Sequence, residues 1–145
     1  ETKMKKIITI LMLSLFSTIA NADGHAKANA FAITLKVPAS DVAKVEEMLR
    51  THHKWMKETH PMTGEKKLNS YSIIKGPEWN NPADPSQGMT GNMYFILTEY
   101  YENPAGFQNH QELGNKWPMI QEFQQMLFSY VVGYTFPGTT IATID

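Results

Sequence analysis

Residues 30–37 alternate between apolar and small or polar side chains, which is the pattern of a β-strand with one buried face. The apolar positions of this strand are Phe31, Ile33, Leu35 and Val37. Pro38 ends the strand, and Ser40 or Asp41 then caps a helix. Apolar positions recur every three or four residues in this helix and predict a stripe that faces a sheet. The stripe consists of Val42, Val45, Leu49, His52, Met56 and Thr59.

His60 closes the helix or lies just past it, because Pro61 cannot continue it. A second strand is predicted from about residue 68 to residue 75. Residues 76–91 hold three prolines, which predicts a long loop that acts as a lid, an interface arm or a plain insertion. The third strand, residues 93–101, is apolar or aromatic on both faces, so both faces must be covered.

A second helical region begins at Asn103 and Pro104, which suit the cap and the first position of a helix. Pro118 cannot lie deep inside a continuous helix, so we predict two helical pieces with Pro118 in the first turn of the second. A last strand follows at about residues 129–136, and residues 139–144 can add a short edge strand. The apolar face of the helical region consists of Phe107, His110, Leu113, Trp117, Ile120, Phe123 and Leu127.

This order of elements is strand-helix-strand followed by a second strand-helix-strand. It predicts an α+β fold with a ferredoxin-like βαββαβ antiparallel sheet and its helices on one face. The other face of such a sheet is bare in a monomer. Because that face carries aromatic and aliphatic residues, we expect two sheets to pack together as a dimeric α/β barrel, which makes the protein a homodimer.

The N-terminal region has the charge and hydropathy order of a secretory signal peptide. Met4-Lys5-Lys6 precede an apolar run from Ile7 to Ile19, and Ala20-Asn21-Ala22 offer a cleavage site after Ala22. The run is shorter than the roughly 20 residues that span a bilayer, although a retained anchor is the alternative. We therefore divide the chain into residues 1–22 (upstream residues and signal peptide), residues 23–29 (flexible leader) and residues 30–145 (a single domain). The expected location is the periplasm, with no membrane association after signal removal.

Charge and cysteine content exclude several classes of function. Removal of the signal takes away three lysines and one glutamate, which changes the formal net charge from −1 to −3, so a nucleic-acid partner is not expected. The chain has no cysteine, so disulfides cannot stabilise it. It also lacks a serine or cysteine nucleophile motif, a phosphate-binding glycine loop and a dinucleotide fingerprint.

An aromatic strand, Tyr94–Tyr101, runs into the small-residue helix start Asn103–Phe107, and His110 follows on the helix, ahead of Leu113 and the segment Trp117–Phe123. This succession resembles the antibiotic-biosynthesis-monooxygenase-like family of dimeric α/β barrels over most of residues 30–136. The family includes cofactor-independent oxygenases of quinol-like or polycyclic aromatic substrates, haem-degrading oxygenases and members of no known activity. The resemblance implies an aromatic ligand and, in the haem-degrading group, a position for His110 against iron.

His110 is the central candidate. It suits a general base for a phenolic proton or a haem ligand, and the alternative is a core histidine bonded to Glu99 or a tyrosine. Glu99 and Tyr100, at the end of the preceding strand, complete the predicted catalytic set. We predict that the ligand is bound by His52, Tyr71, Phe107 and Trp117.

Two other histidines, His53 and His60, lie seven residues apart on another helix face without a suitably spaced carboxylate. A solvated helix surface is the favoured interpretation, and no metal site is predicted. Two functions remain open. One is an exported monooxygenase-like enzyme that holds a small aromatic or quinol-type molecule between helices and sheet without a cofactor. The other is a non-catalytic dimer that binds a small ligand or haem in the same cavity.

Overall fold

The computed structural model describes residues 29–142. The predicted signal peptide, the leader up to residue 28 and residues 143–145 lie outside the described residues. Asn29, the last residue of the predicted leader, is hydrogen-bonded to the ends of two strands of the sheet. Its backbone N–H donates to Gly138 at 3.1 Å, its carbonyl accepts from Tyr101 at 2.8 Å, and its side chain donates to the carbonyl of Tyr101 at 3.0 Å.

Strand β1 (Ala30–Val37) has the predicted alternation, with Phe31, Ile33, Leu35 and Val37 buried. A 3₁₀ turn (Ala39–Asp41) leads to helix α1 (Val42–Thr59). No side chain caps this helix, contrary to the prediction for Ser40 or Asp41. The Asp41 carboxylate instead accepts a hydrogen bond from the Tyr130 hydroxyl at 2.8 Å, which ties the start of α1 to the end of the last helix.

Strands β2 (Leu68–Trp79) and β3 (Met89–Tyr101) form a long hairpin. The predicted loop at residues 76–91 is therefore wrong at both ends, because Trp79 still pairs with Met89 and the connection covers only residues 80–88. The connection contains a second 3₁₀ turn, Pro85–Gln87. Pro77 is tolerated because β2 is an edge strand. Beyond β2 there is no neighbouring strand among the described residues to which the missing N–H would have donated a hydrogen bond.

The second helical region is split as predicted into helix α2 (Pro104–Gly114) and helix α3 (Ile120–Tyr130). Pro118 lies in the turn before α3 rather than in its first turn. Strand β4 (Val131–Gly138) begins two residues later than predicted because α3 extends through Tyr130. Residues 139–142 add no strand.

The four strands form one antiparallel sheet in the order β2-β3-β1-β4. The fold is α+β, and the arrangement is compatible with a ferredoxin-like architecture. The three helices share one core with the inward residues of the sheet. In that core Val45 and Leu49 of α1 and Phe123 and Leu127 of α3 join Leu35, Phe95 and Leu97 of the sheet.

The opposite face, which we call the open face, carries no helix among the described residues. A row of paired residues crosses it, formed by Ile74, Ile96, Thr34 and Gly133. Polar bonds flank this row: Ser72 contacts Thr98 at 2.7 Å, and Glu78 forms an ion pair with Lys36 at 2.5 Å. Within residues 29–142, no helix is both long and apolar enough to cross a membrane.

Candidate functional site

A cavity of about 330 Å³ lies between α2, α3 and the helix side of the sheet. Phe31, Leu97 and Phe136 are among its apolar walls, and both His52 and His110 line it. Amide side chains of α2 and α3, together with Glu112, supply polar lining, and no described Lys or Arg does so. The volume and the lining are those of a site for a small, mostly apolar molecule.

The start of α2 positions His110. The Asn103 side chain accepts a hydrogen bond from the N–H of Ala105 at 2.9 Å, and Pro104 fills the first position of the helix. The His110 ring then lies 5.5 Å from the Phe31 ring and 5.6 Å from the Trp55 ring, centroid to centroid. Burial, with His60 and His52 nearby, lowers the pKa of His110 well below 6.5, so the imidazole is neutral at pH 7.

Three hydrogen bonds in series determine where the His110 proton lies. The Thr59 hydroxyl donates to the carbonyl of Trp55 at 2.7 Å, and Thr59 Oγ1 lies 2.9 Å from His60 Nδ1. His60 Nε2 in turn lies 3.0 Å from His110 Nδ1. Since the single Thr59 proton is used, Thr59 must accept from His60 Nδ1–H, and His60 Nε2 must accept from His110 Nδ1–H.

This assignment leaves Nε2 of His110 without a proton. No hydrogen bond among residues 29–142 is recorded for that atom, and the residue lines the cavity. His110 therefore offers a lone pair to a ligand that carries a hydroxyl or another acidic proton.

Glu99 is a second unusual group beside His110. It is 2% exposed, and burial raises its pKa to about 8 although a hydrogen bond from Tyr101 opposes that rise. The Tyr101 hydroxyl donates to Glu99 Oε2, which lies 3.5 Å from His110 Nδ1. Glu99 Oε1 has no partner among the described residues. At pH 7 Glu99 is thus mostly protonated and places no full negative charge beside His110.

His52 forms the wall of the cavity on the α1 side. Its Nδ1 lies 2.9 Å from the Tyr71 hydroxyl, and Phe123 stacks on its ring at 4.3 Å with an interplanar angle of 14°. Burial is the main reason that the pKa of His52 falls to about 3, with His60 and His53 contributing. The ring is therefore neutral and held on two sides.

The structure brings most of the predicted site residues together, but it does not bring Tyr100 there. His110, Glu99, His52 and Tyr71 lie on the helix side of the sheet, where His110 and His52 line the cavity and Glu99 and Tyr71 do not. Tyr100 borders the open face instead, because successive residues of a strand point to opposite faces and Glu99 points inward. The tyrosine that contacts Glu99 is Tyr101.

Phe107 and Trp117, the other two predicted ligand-binding residues, stand behind the cavity rather than lining it. Phe107 packs edge-on against Phe31 with centroids 6.5 Å apart. Trp117 stacks on Trp55 at 4.9 Å, and its ring lies 5.6 Å from that of His52. Both residues support the walls that contact His110 and His52.

Sequence reasoning missed His60, which we assigned to a solvated helix surface with His53. His60 is only 5% exposed because the helix has ended: its φ of −94° and ψ of 129° are those of extended backbone, which turns the side chain inward. Burial lowers the pKa of His60 to about 4. Pro61 was the available signal, since the residue before a proline favours extended backbone.

The site fits a metal or haem poorly. No three His, Asp or Glu side chains in the described part of the chain are arranged to hold a metal ion. His110 Nε2 has the lone pair of a haem ligand, but a cavity of about 330 Å³ is near the lower limit of ligand sites, and no described cationic residue lines it to pair with haem propionates.

The fold and the site together define an α+β protein with a histidine-lined cavity between helices and sheet. The sequence matches no protein-family profile and no curated protein.

Proposed function

We propose that this protein is an exported, monooxygenase-like protein that binds a small neutral aromatic molecule of the quinol type in the cavity, with His110 as the base. The observation that carries the proposal is the series of hydrogen bonds that leaves His110 Nε2 unprotonated in a residue that lines an apolar cavity. The lining also favours a ligand without charge, because Glu112 is the one acidic residue among the described lining residues and no Lys or Arg is among them.

The proposed chemistry uses no cofactor. His110 removes a proton from an anthrone-type CH₂ or a quinol hydroxyl, and the resulting electron-rich anion reacts with molecular oxygen. For an anthrone, the CH₂ group becomes a carbonyl: one oxygen atom enters the product, and the other leaves as water with the two hydrogens. Phe31, Leu97 and Phe136 give the cavity an apolar surface that favours an aromatic ligand over a charged solute.

Oxygen consumption with a panel of anthrones and quinols tests this reaction. We expect His110→Ala to lower the rate by about 100-fold or more, the usual contribution of a general base. His53→Ala is the control, because His53 is exposed on α1 and does not line the cavity. Full activity in His110→Ala would remove the role proposed for this residue.

A second candidate function is ligand binding without chemistry. The low pKa of His110 favours it, because a weakly basic imidazole accepts a hydrogen bond well but removes a proton less readily. Calorimetric binding of a hydroxyaromatic without any oxygen uptake would select this function. Binding should still weaken in His110→Ala.

We also propose that the protein is a periplasmic homodimer that pairs through the open face. Support comes from Ile74 on edge strand β2 of that face, which is 58% exposed, and from the end of the β2–β3 hairpin, where Met89 is 58% exposed and Trp79 is 38% exposed. In a dimer with two-fold symmetry the same surface patch of both copies forms the interface, so one such face on each chain is sufficient for dimer formation.

A further inference from the structure

We infer that His60 and Thr59 form a proton relay that carries the proton taken by His110 out of the cavity to solvent. This inference rests on the proposed role of His110 as a base. The relay has three members from two parts of the chain: His110 on α2, His60 just after α1, and Thr59 as the last residue of α1. Thr59 is exposed, whereas His60 is buried.

The bonds of this relay all point the same way. His110 Nδ1 donates to His60 Nε2 over 3.0 Å, and His60 Nδ1 donates to Thr59 Oγ1 over 2.9 Å. An imidazole that receives a proton on one nitrogen can release the proton on its other nitrogen. The two rings therefore connect a buried acceptor atom to an exposed hydroxyl.

One proton moves at each step of the relay, from the ligand to solvent. The ligand O–H or C–H bond breaks and its proton goes to His110 Nε2, while the Nδ1 proton of His110 moves to His60 Nε2. The Nδ1 proton of His60 passes to Thr59 Oγ1, and the original Thr59 hydroxyl proton leaves its hydrogen bond to the Trp55 carbonyl and passes to solvent at this exposed residue. Both rings end neutral with a proton on Nε2, and His110 now donates a hydrogen bond to the ligand anion. The same steps in reverse reset the relay when a proton returns from solvent.

The surroundings of the relay explain why the proton needs an exit. Burial disfavours a positive charge on His110, and Glu99 is mostly protonated at pH 7, so no fixed anion beside the ring compensates for one. His52 lies 6.3 Å from His110 between ring centroids, but its Nδ1 already bonds to the Tyr71 hydroxyl. Among the described hydrogen bonds, the one from His110 to His60 is thus the exit route for the proton.

Two variants interrupt this route. Thr59→Val keeps the shape of the side chain and removes the hydroxyl, and His60→Gln removes the ring. Thr51→Val is the matched control, because the Thr51 hydroxyl makes the same kind of bond on α1, to the carbonyl of Glu47 at 3.0 Å, and takes no part in the relay.

The test uses 4-nitrophenol as the probe, because its anion absorbs visible light, together with a pH-indicator dye in weak buffer. In stopped-flow mixing with the wild type, we expect the anion and the released proton to appear together. Thr59→Val and His60→Gln should slow proton release at least tenfold, and added imidazole should restore the rate in His60→Gln. Thr51→Val should match the wild type.

The outcomes separate the two proposals. If the wild type does not ionise the probe, or if His110→Ala still does, the base itself is wrong and the function fails. If His110→Ala abolishes ionisation but Thr59→Val and His60→Gln release protons at the wild-type rate, the relay alone is overturned. ¹⁵N NMR gives an independent check: protons on Nε2 of His60 and His110 in the free protein would also refute the relay.

Discussion

At the scale of single residues, Glu99 makes a pH-dependent contribution to stability. Its folded pKa of about 8 lies above the ordinary value of 4.5, mainly because of burial. Between these two pH values the unfolded chain releases the proton and the folded chain keeps it. The contribution of Glu99 to the free energy of unfolding should therefore fall as pH rises through this window, by up to about 1.4 kcal/mol per pH unit.

Glu99→Gln removes this ionisation and should remove this contribution, while the contributions of the buried histidines stay the same in both proteins. Relative to the wild type, we expect the variant to gain at least about 2 kcal/mol between pH 5 and pH 8, measured by urea unfolding. Glu47→Gln, which removes an exposed carboxyl of α1, serves as the control. A constant difference between Glu99→Gln and the wild type across this range would show that Glu99 is ionised in the folded state.

Individual residues of the candidate site also show why it was only partly predicted from the sequence. His110 follows from a helical pattern within one segment, so its place on the inner face of α2 was accessible from sequence. The choice between Tyr101 and Tyr100 depends on which residues of β3 point inward. Because β3 has apolar residues on both faces, the sequence does not show this. The bond between His60 and His110 joins residues 50 positions apart, and no local pattern encodes it.

At the scale of elements, the contact between α2 and β3 depends on Gly106. A Cβ atom at Gly106 would lie 3.0 Å from Tyr101 Cδ1 and 3.1 Å from the backbone oxygen of Lys66. Tyr101 cannot yield easily, because it is fully buried and bonded to Glu99. The small residue at this point of α2 allows the helix that carries His110 to approach the sheet.

Gly106→Ala should therefore destabilise the protein by about 1–3 kcal/mol despite the better helix propensity of alanine. Gly114→Ala on the same helix is the comparison, because a Cβ there meets no atom closer than 3.9 Å, at Trp55. We expect this second variant to be neutral or stabilised by up to about 1 kcal/mol. Equal unfolding midpoints for the two variants in urea would contradict the close-contact argument.

The elements themselves were predictable where one local signal dominated. The alternation of apolar and polar residues correctly predicted β1, and the spacing of apolar residues by three or four positions correctly predicted α1. The outer part of the hairpin was missed because Pro77 and Gly76 suggest a loop, whereas the pairing of β2 with β3 continues to Trp79. Pairing partners lie far apart in sequence, so composition alone cannot reveal them.

At the scale of the whole molecule, the open face should determine the oligomeric state. We expect a dimer in sedimentation velocity experiments. Ile74→Lys should give monomers, because it places a charge at an exposed apolar position of the open face. Met62→Lys is the control, since Met62 is similarly exposed at 62% but lies in the connection after α1. A monomeric wild type at micromolar concentration would exclude the proposed dimer.

The stacked pair of Trp55 and Trp117 gives the protein a built-in optical reporter. Their near-parallel rings, with centroids 4.9 Å apart and an interplanar angle of 17°, should couple electronically and give a paired signal in the aromatic circular dichroism spectrum. Trp55 also lies 5.6 Å from the His110 ring, so a quinone-like molecule in the cavity should quench its fluorescence. The third tryptophan, Trp79, is at the end of β2, and Trp79→Phe would leave an emission spectrum that reports on the stacked pair behind the cavity alone.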